Sequence, residues 1–260
     1  VSNSSSGSLK KNTGIVMESR VVGEGDAFIR ILPSEGEVAS FKIKGIKKSK
    51  TRPIAAVEPG SLVSIDYYYV QGKDTFNVKE IGLIQRFDQA KQGYSGTVLV
   101  SYLVELVSSF LTQGGAHPQE YKLLLAALKE LDQDGFRPVF LPFFKLKLLY
   151  AGGFLSKELQ CSICGKALDE MHSCSLEEDQ LEIVCGECKT PQKNRIGLVR
   201  FVETCLNRRY RDLKDGQISL ELLRDADRLS NKALKPLLGK KLKSESLLYE
   251  VMGEKFGQIL

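Results

Sequence analysis

At 260 residues, 42% hydrophobic and 27% charged, the chain has the make-up of a globular protein with room for two cores. Its richest apolar run, Val98 to Leu111, is broken by Ser101, Glu105, Ser108 and Ser109, which predicts a buried helix and no membrane partner. A net charge of +5 permits a polyanionic partner, two histidines supply acid–base chemistry poorly, and six cysteines behind no apolar leader point to a reducing cytoplasm.

Residues 1–12 are Ser-rich and polar and predict a disordered tail. From Thr13 to Arg86 the chain breaks into short runs of β-branched and aromatic residues separated by turn formers, which predicts five strands: Thr13 to Val22, Ala27 to Leu32, Glu37 to Ile43, Leu62 to Val70 and Thr75 to Ile84. Gly23 to Asp26, Ser34 to Gly36 and Gln71 to Lys73 supply turns. Five strands with a long link, Lys44 to Ser61, between the third and fourth fit a small OB-type Greek-key barrel over 13–86, with an SH3-like barrel as the alternative.

Beyond Arg86 the apolar spacing changes to three and four. Val98, Tyr102, Leu106 and Phe110 mark one helix, ended by Gly114 and Gly115, and Pro118 opens a second that runs through Leu131. His117 reads as a residue at the helix entry. Pro138 and Pro142 start a third helix that ends before Gly152. After the cysteine segment, Ile196 to Asp212 predicts an amphipathic helix with Leu198, Val202, Cys205 and Leu206 on its inner face. A last helical stretch, Leu220 to Phe256, is interrupted near Pro236 and Gly239. The expected organisation is α+β: the barrel, a helical domain in two parts (87–155 and 191–260), and between them a four-cysteine finger over 156–190.

That finger carries Cys161, Cys164, Cys185 and Cys188, two Cys-x-x-Cys pairs with twenty residues between them. Two residues between cysteines let the chain wrap under one tetrahedral ion, and a separation of about 15–20 residues suits two halves of one zinc site. Gly165 and Gly186 follow the second and third cysteines, where a knuckle would use positive φ. His172 and Cys174 lie inside the span without partners at knuckle spacing. Four thiolates leave no open coordination position, so one structural Zn2+ is expected. A single redox pair or disulfides would account for the pattern less well.

Two basic clusters stand out. Lys42, Lys44, Lys47, Lys48, Lys50 and Arg52 occupy a stretch, Val38 to Val57, that holds no acidic residue, on the third strand and the link after it. They could neutralise phosphates, or belong to a solvated loop. A second cluster includes Arg195, Arg200, Arg208 and Arg209, and could equally be the polar face of a helix. Tyr67, Tyr68 and Tyr69 alternate faces, leaving at least one for a base to stack on. No phosphate-binding Gly-Lys loop, nucleophile elbow, His-Glu-x-x-His or deaminase motif occurs, and a binding module rather than an enzyme is expected. A zinc-ribbon RNA-binding or translation factor, or a zinc-dependent regulator of a small GTPase, are the rival readings.

The residues resemble a known family, the bacterial RecO recombination mediators, over nearly everything after the tail. Gly23-Glu24-Gly25-Asp26, the run Lys44-Gly45-Ile46-Lys47-Lys48-Ser49-Lys50-Thr51-Arg52, Pro59-Gly60, Phe144 to Leu149 and Gly153-Phe154-Leu155 are similar to family motifs, while Lys145 stands where the family carries Glu. The four cysteines are similar to the zinc-bearing type. The resemblance implies an OB domain, a helical domain and an inserted zinc finger. It also implies binding of single- and double-stranded DNA and annealing of strands coated by single-stranded-DNA-binding protein, whose acidic C-terminal tail is a partner. Loading of RecA together with RecR in the cytoplasm completes what it implies.

Overall fold

The computed structural model describes residues 8–23, 25–112, 114–178, 180–213 and 216–256, with side chains described through 251. The expected Gly23 to Asp26 turn therefore lies partly outside the described residues at Glu24. By contacts the chain forms two compact units, 1–133 and 134–260, each described by itself below. The expected boundary after Arg86 falls inside the first unit.

In the first unit, five strands close into a barrel in the order β1-β2-β3-β5-β4. They are β1 (Ser8–Val22), β2 (Asp26–Pro33), β3 (Ala39–Ile43), β4 (Leu62–Tyr69) and β5 (Thr75–Gln85). β1 starts five residues before the expected Thr13. Residues 8–12, assigned above to a tail, pair with β4 from Ser8↔Tyr69 to Asn12↔Ile65, because a barrel needs a first strand long enough to border two neighbours. From Gly14 onward it also pairs with β2, through an irregularity between Val16 and Glu18. Gly14 sits at the crossover, where a Cβ would lie 2.3 Å from Ile31 Cγ2 and 2.7 Å from the Leu32 carbonyl. β3 and β5 run parallel from Ser40↔Thr75 to Lys42↔Asn77. A long shared β1 and a parallel β3–β5 contact make this the OB arrangement and set aside the SH3-like alternative.

Alternation along β2 sends Ala27, Ile29 and Ile31 inward to meet Val16, Phe41, Ile43, Val63, Ile65 and Ile81. The link from Lys44 to Ser61 is seated on the same core. Ile46, Ala56 and Val57, on two short 3-10 turns, are buried in it. The helices α1 (Gly93–Phe110) and α2 (Pro118–Asp134) complete the unit, and α1 packs on β1. Asp132 near the end of α2 accepts the N–H groups of Gln89 and Ala90 at 2.9 and 3.1 Å, which fixes the turn into α1. No helix among the described residues is long and apolar enough to cross a membrane.

In the second unit, α3 (Phe140–Ala151), α4 (Ile196–Asn207) and α5 (Leu220–Leu238) pack on one another, followed by α6 (Lys243–Phe256). Between α3 and α4 lies a hairpin of β6 (Cys174–Glu177) and β7 (Glu182–Cys185). α4 ends five residues before the expected Asp212. Tyr210 turns inward, fully buried, with its ring 5.1 Å from Phe140 and 5.7 Å from Phe143, while Arg137 donates to its carbonyl and lies over its ring. That anchoring outweighs continuation of the helix and makes Tyr210–Asp212 a separate 3-10 turn. The break in the last helical stretch falls at Gly239, in the left-handed region at φ 64°, while Pro236 stays inside α5. Cys205 is a core residue, and burial pushes its thiol pKa up to about 12.

Candidate metal centre and nucleic-acid interface

The two Cys-x-x-Cys pairs curl in the same way. After the first, the Gly165 N–H donates to the Cys161 carbonyl at 2.9 Å; after the second, the N–H groups of Cys188 and Lys189 donate to the Cys185 carbonyl at 3.1 Å. Gly165 takes φ 73°, as the knuckle reading requires, but Gly186 does not have positive φ. It is small because Ser173 lies against it: a Cβ there would sit 2.1 Å from the Ser173 Oγ, and the Gly186 N–H donates to the Ser173 carbonyl at 2.8 Å. These turns bring the ligand atoms of Cys161, Cys164, Cys185 and Cys188 within 4.8 Å of one another.

A tetrahedral ion with S–Zn bonds of about 2.3 Å holds its sulfurs about 3.8 Å apart. The Cys164 and Cys185 sulfurs are separated by 3.7 Å, so the cluster has the dimensions of a four-thiolate site. Burial resists ionisation of Cys161, but N–H groups of Cys185, Cys164 and Ile163 and the Cys164 thiol outweigh it and bring its pKa down to about 6. Cys174 is outside the cluster. It lies opposite Cys185 across the hairpin, buried among Leu168, Met171, Ile183 and Val199, and its carbonyl accepts the Arg195 N–H at 2.8 Å where α4 begins. Cys174 is thus the seam between finger and helix, and His172 is likewise absent from the cluster.

The first basic cluster splits by role. Lys44, Lys47, Lys48 and Lys50 are exposed on or beside the turn Ile46–Lys48. Arg52 instead closes the link: its guanidinium donates to the Lys44 carbonyl at 3.1 Å and the Lys79 carbonyl at 2.6 Å. Lys42 stands on β3, 3.5 Å from Asp26 and over the Phe28 ring. The Gly45 N–H and, next among the favourable contacts, Lys42 hold the Asp26 carboxyl below its usual value, which pins the start of the link. Register adds residues that sequence reasoning missed. Arg20 pairs with Phe28 and Phe28 with Lys42; Glu18 pairs with Arg30 and Arg30 with Ser40. The outer face of β1–β3 therefore carries Arg20, Phe28, Arg30 and Lys42 in adjacent rows leading to the link. Only the strand pairing exposes that signal, since Arg20 and Arg30 are isolated along the chain. Of the three tyrosines, Tyr68 is outward, 44% exposed, while Tyr67 and Tyr69 lean on the barrel core.

The second cluster is more dispersed. Arg195, 16% exposed, is paired with Asp225 at 2.7 Å and Glu178 at 3.0 Å, so it ties the finger hairpin to α5. Arg200 donates to the Met171 carbonyl at 3.3 Å. Arg208 and Arg209 are exposed beyond the end of α4, off the helix face expected for them.

Residues 8–87 match the Recombination protein O N terminal family and residues 92–246 the Recombination protein O C terminal family. A DNA repair protein RecO of Leptospira biflexa serovar Patoc is 34% identical over 246 residues, spanning 95% of this chain and 99% of that protein. The chain belongs to the RecO family. One RecO of Caldicellulosiruptor saccharolyticus is 27% identical across 88% of this chain and 89% of its own, and one of Anaeromyxobacter sp. (strain K) is 28% identical across 62% and 63%. As a RecO, the protein is a DNA repair protein, and its barrel and cysteine cluster lie where the two family regions place the N- and C-terminal portions.

Lys145 is completely buried on α3. Its Nζ is 2.7 Å from the Asp227 Oδ1 of α5, and Asp227 also accepts from the Asn231 side-chain amide at 2.9 Å, with the Tyr249 hydroxyl 3.5 Å away. This pair binds α3 to α5 and lies in the helical core.

Proposed function

We propose that this RecO protein binds single- and double-stranded DNA through the outer face of β1–β3 and the link after β3, and acts by binding rather than bond making. It anneals complementary strands coated by single-stranded-DNA-binding protein, with that protein's acidic tail as a contact, and works with RecR to load RecA in the cytoplasm. One Zn2+ held by Cys161, Cys164, Cys185 and Cys188 keeps the finger folded on α4. The observation that carries the DNA reading is the seated link: Ile46 and the Arg52 clamp fix the turn on which Lys47 and Lys48 are displayed. Lysines on an anchored turn meet phosphates with less ordering cost than lysines on a mobile loop.

The test is a salt titration. Each phosphate contact on a single strand contributes roughly 0.7 to the slope of log K against log salt, so Lys47→Ala, Lys48→Ala and Lys50→Ala combined should flatten it by about two units. An unchanged slope would transfer the assignment to Arg200, Arg208 and Arg209, examined by the same titration.

A further inference from the structure

At the end of the barrel opposite the basic link lies a groove of about 840 Å³. Its floor is aromatic. Phe76 lies 5.3 Å from Tyr69 in a stacked pair and 5.4 Å from Tyr67, and Phe41 meets Tyr67 edge-on from beneath at 5.0 Å. These contacts hold the two tyrosine rings rigid, and neither hydroxyl has a hydrogen-bond partner among the described residues. Lys10, exposed on the groove wall, holds its ammonium 3.8 Å over the Tyr69 ring.

The lining distinguishes between ligand classes. Lys10, Arg30 and Lys73 are balanced by Glu35, Glu37 and Asp74, so a bare phosphate finds no net positive field. A flat, polar-edged aromatic ring finds a stacking surface and two free hydroxyls. Ser40 is in the groove wall and Lys44 begins the link four residues on, about 13 Å away at about 3.3 Å per strand residue. Arg30 and Lys42 lie along that path on the outer face, so the groove continues the DNA surface.

We propose that this groove receives an unstacked base of single-stranded DNA, stacked on Tyr69, with the Lys10 ammonium moving from the ring to the neighbouring phosphate. The site rests on the DNA-binding reading above and adds to it a part that engages single strands alone, because bases in a duplex are not free to enter. Base-on-aromatic stacking is sequence-tolerant, as an annealing protein requires.

The probe is an oligothymidylate carrying 5-iododeoxyuridine, illuminated on the intact protein and mapped by mass spectrometry. An adduct on Tyr69 or Tyr67 is expected; adducts confined to Phe28 or Tyr68 would overturn the site. In parallel, Tyr69→Leu should weaken single-strand affinity about tenfold, within the range for loss of one stacked base. Duplex affinity and the salt slope should stay unchanged, and Tyr69→Phe should retain most of the affinity. Equal loss on single strands and duplex with Tyr69→Phe, or undiminished single-strand binding by Tyr69→Leu, refutes the proposal, the latter leaving the groove to a peptide. If the intact protein fails to bind the oligonucleotide at all, the DNA reading fails with it; if it binds with the lysine-dependent salt slope but without the adduct, only the groove fails.

Discussion

An ammonium group shut away from water, as Lys145 is, persists only opposite a carboxylate, and Asp227 supplies it. Lys145→Ala should cost about 3–5 kcal/mol, the range for orphaning one half of a buried pair. Lys145→Glu should be at least as damaging because it sets two carboxylates face to face. Replacing the pair by Met and Leu should cost much less, and denaturant unfolding of the three variants orders them. A second residue, Asp26, makes a pH-dependent contribution. Its folded pKa is lowered by the Gly45 N–H, so its hold on the link is present above the ordinary value of 3.8 and is lost as pH falls through the lowered folded value. Gly45 amide exchange should report the loss, and Asp26→Asn should remove the pH dependence.

Among the elements, the finger is the one whose fold the proposed Zn2+ would hold together. Its own core is a handful of residues around Leu168, Met171 and Ile183, closed by Val199 of α4, too few to offset the ordering of a segment of this length. Protein purified without chelator should carry about one zinc per chain, and Cys161→Ser with Cys185→Ser should abolish it. Cys164→Ser should lower the melting temperature before it lowers annealing; full thermal stability with annealing lost would argue that the metal acts on DNA directly. In α4, by contrast, no metal is needed, because Leu198, Val202, Cys205 and Leu206 bury one face.

For the whole molecule, the grouping of α1 and α2 with the barrel has a measurable consequence. Gly60, at φ 79°, would place a Cβ 2.7 Å from Val100 of α1, and Lys91 reaches Ser61 at 3.4 Å, so barrel and helix are fitted together. A fragment of residues 8–133 should melt in a single cooperative transition, whereas one ending at 87 should be markedly less stable, since α1 no longer covers β1. Circular dichroism melts of the two fragments make the comparison. Coincident melting would show that the barrel needs neither helix.

Sequence alone reached the five strands, the four cysteines and the basic link, because each is a local pattern: period-two alternation, two-residue knuckle spacing, and a run of lysines uninterrupted by acid. It also placed Cys205 inside α4 by helical spacing. What it missed depends on pairing across distance. That residues 8–12 belong to β1 follows from the neighbour β4 supplies; that α4 stops before Tyr210 follows from Phe140, Phe143 and Arg137; that Arg195 is spent on Glu178 and Asp225 follows from three elements meeting. Gly186 is small for the sake of Ser173, thirteen residues back, and not for its own φ. The aromatic groove has the same origin. Lys10, Tyr69 and Phe76 come together only because the sheet closes, and closure is set by long-range hydrogen bonding and a shared core that no stretch of sequence contains by itself.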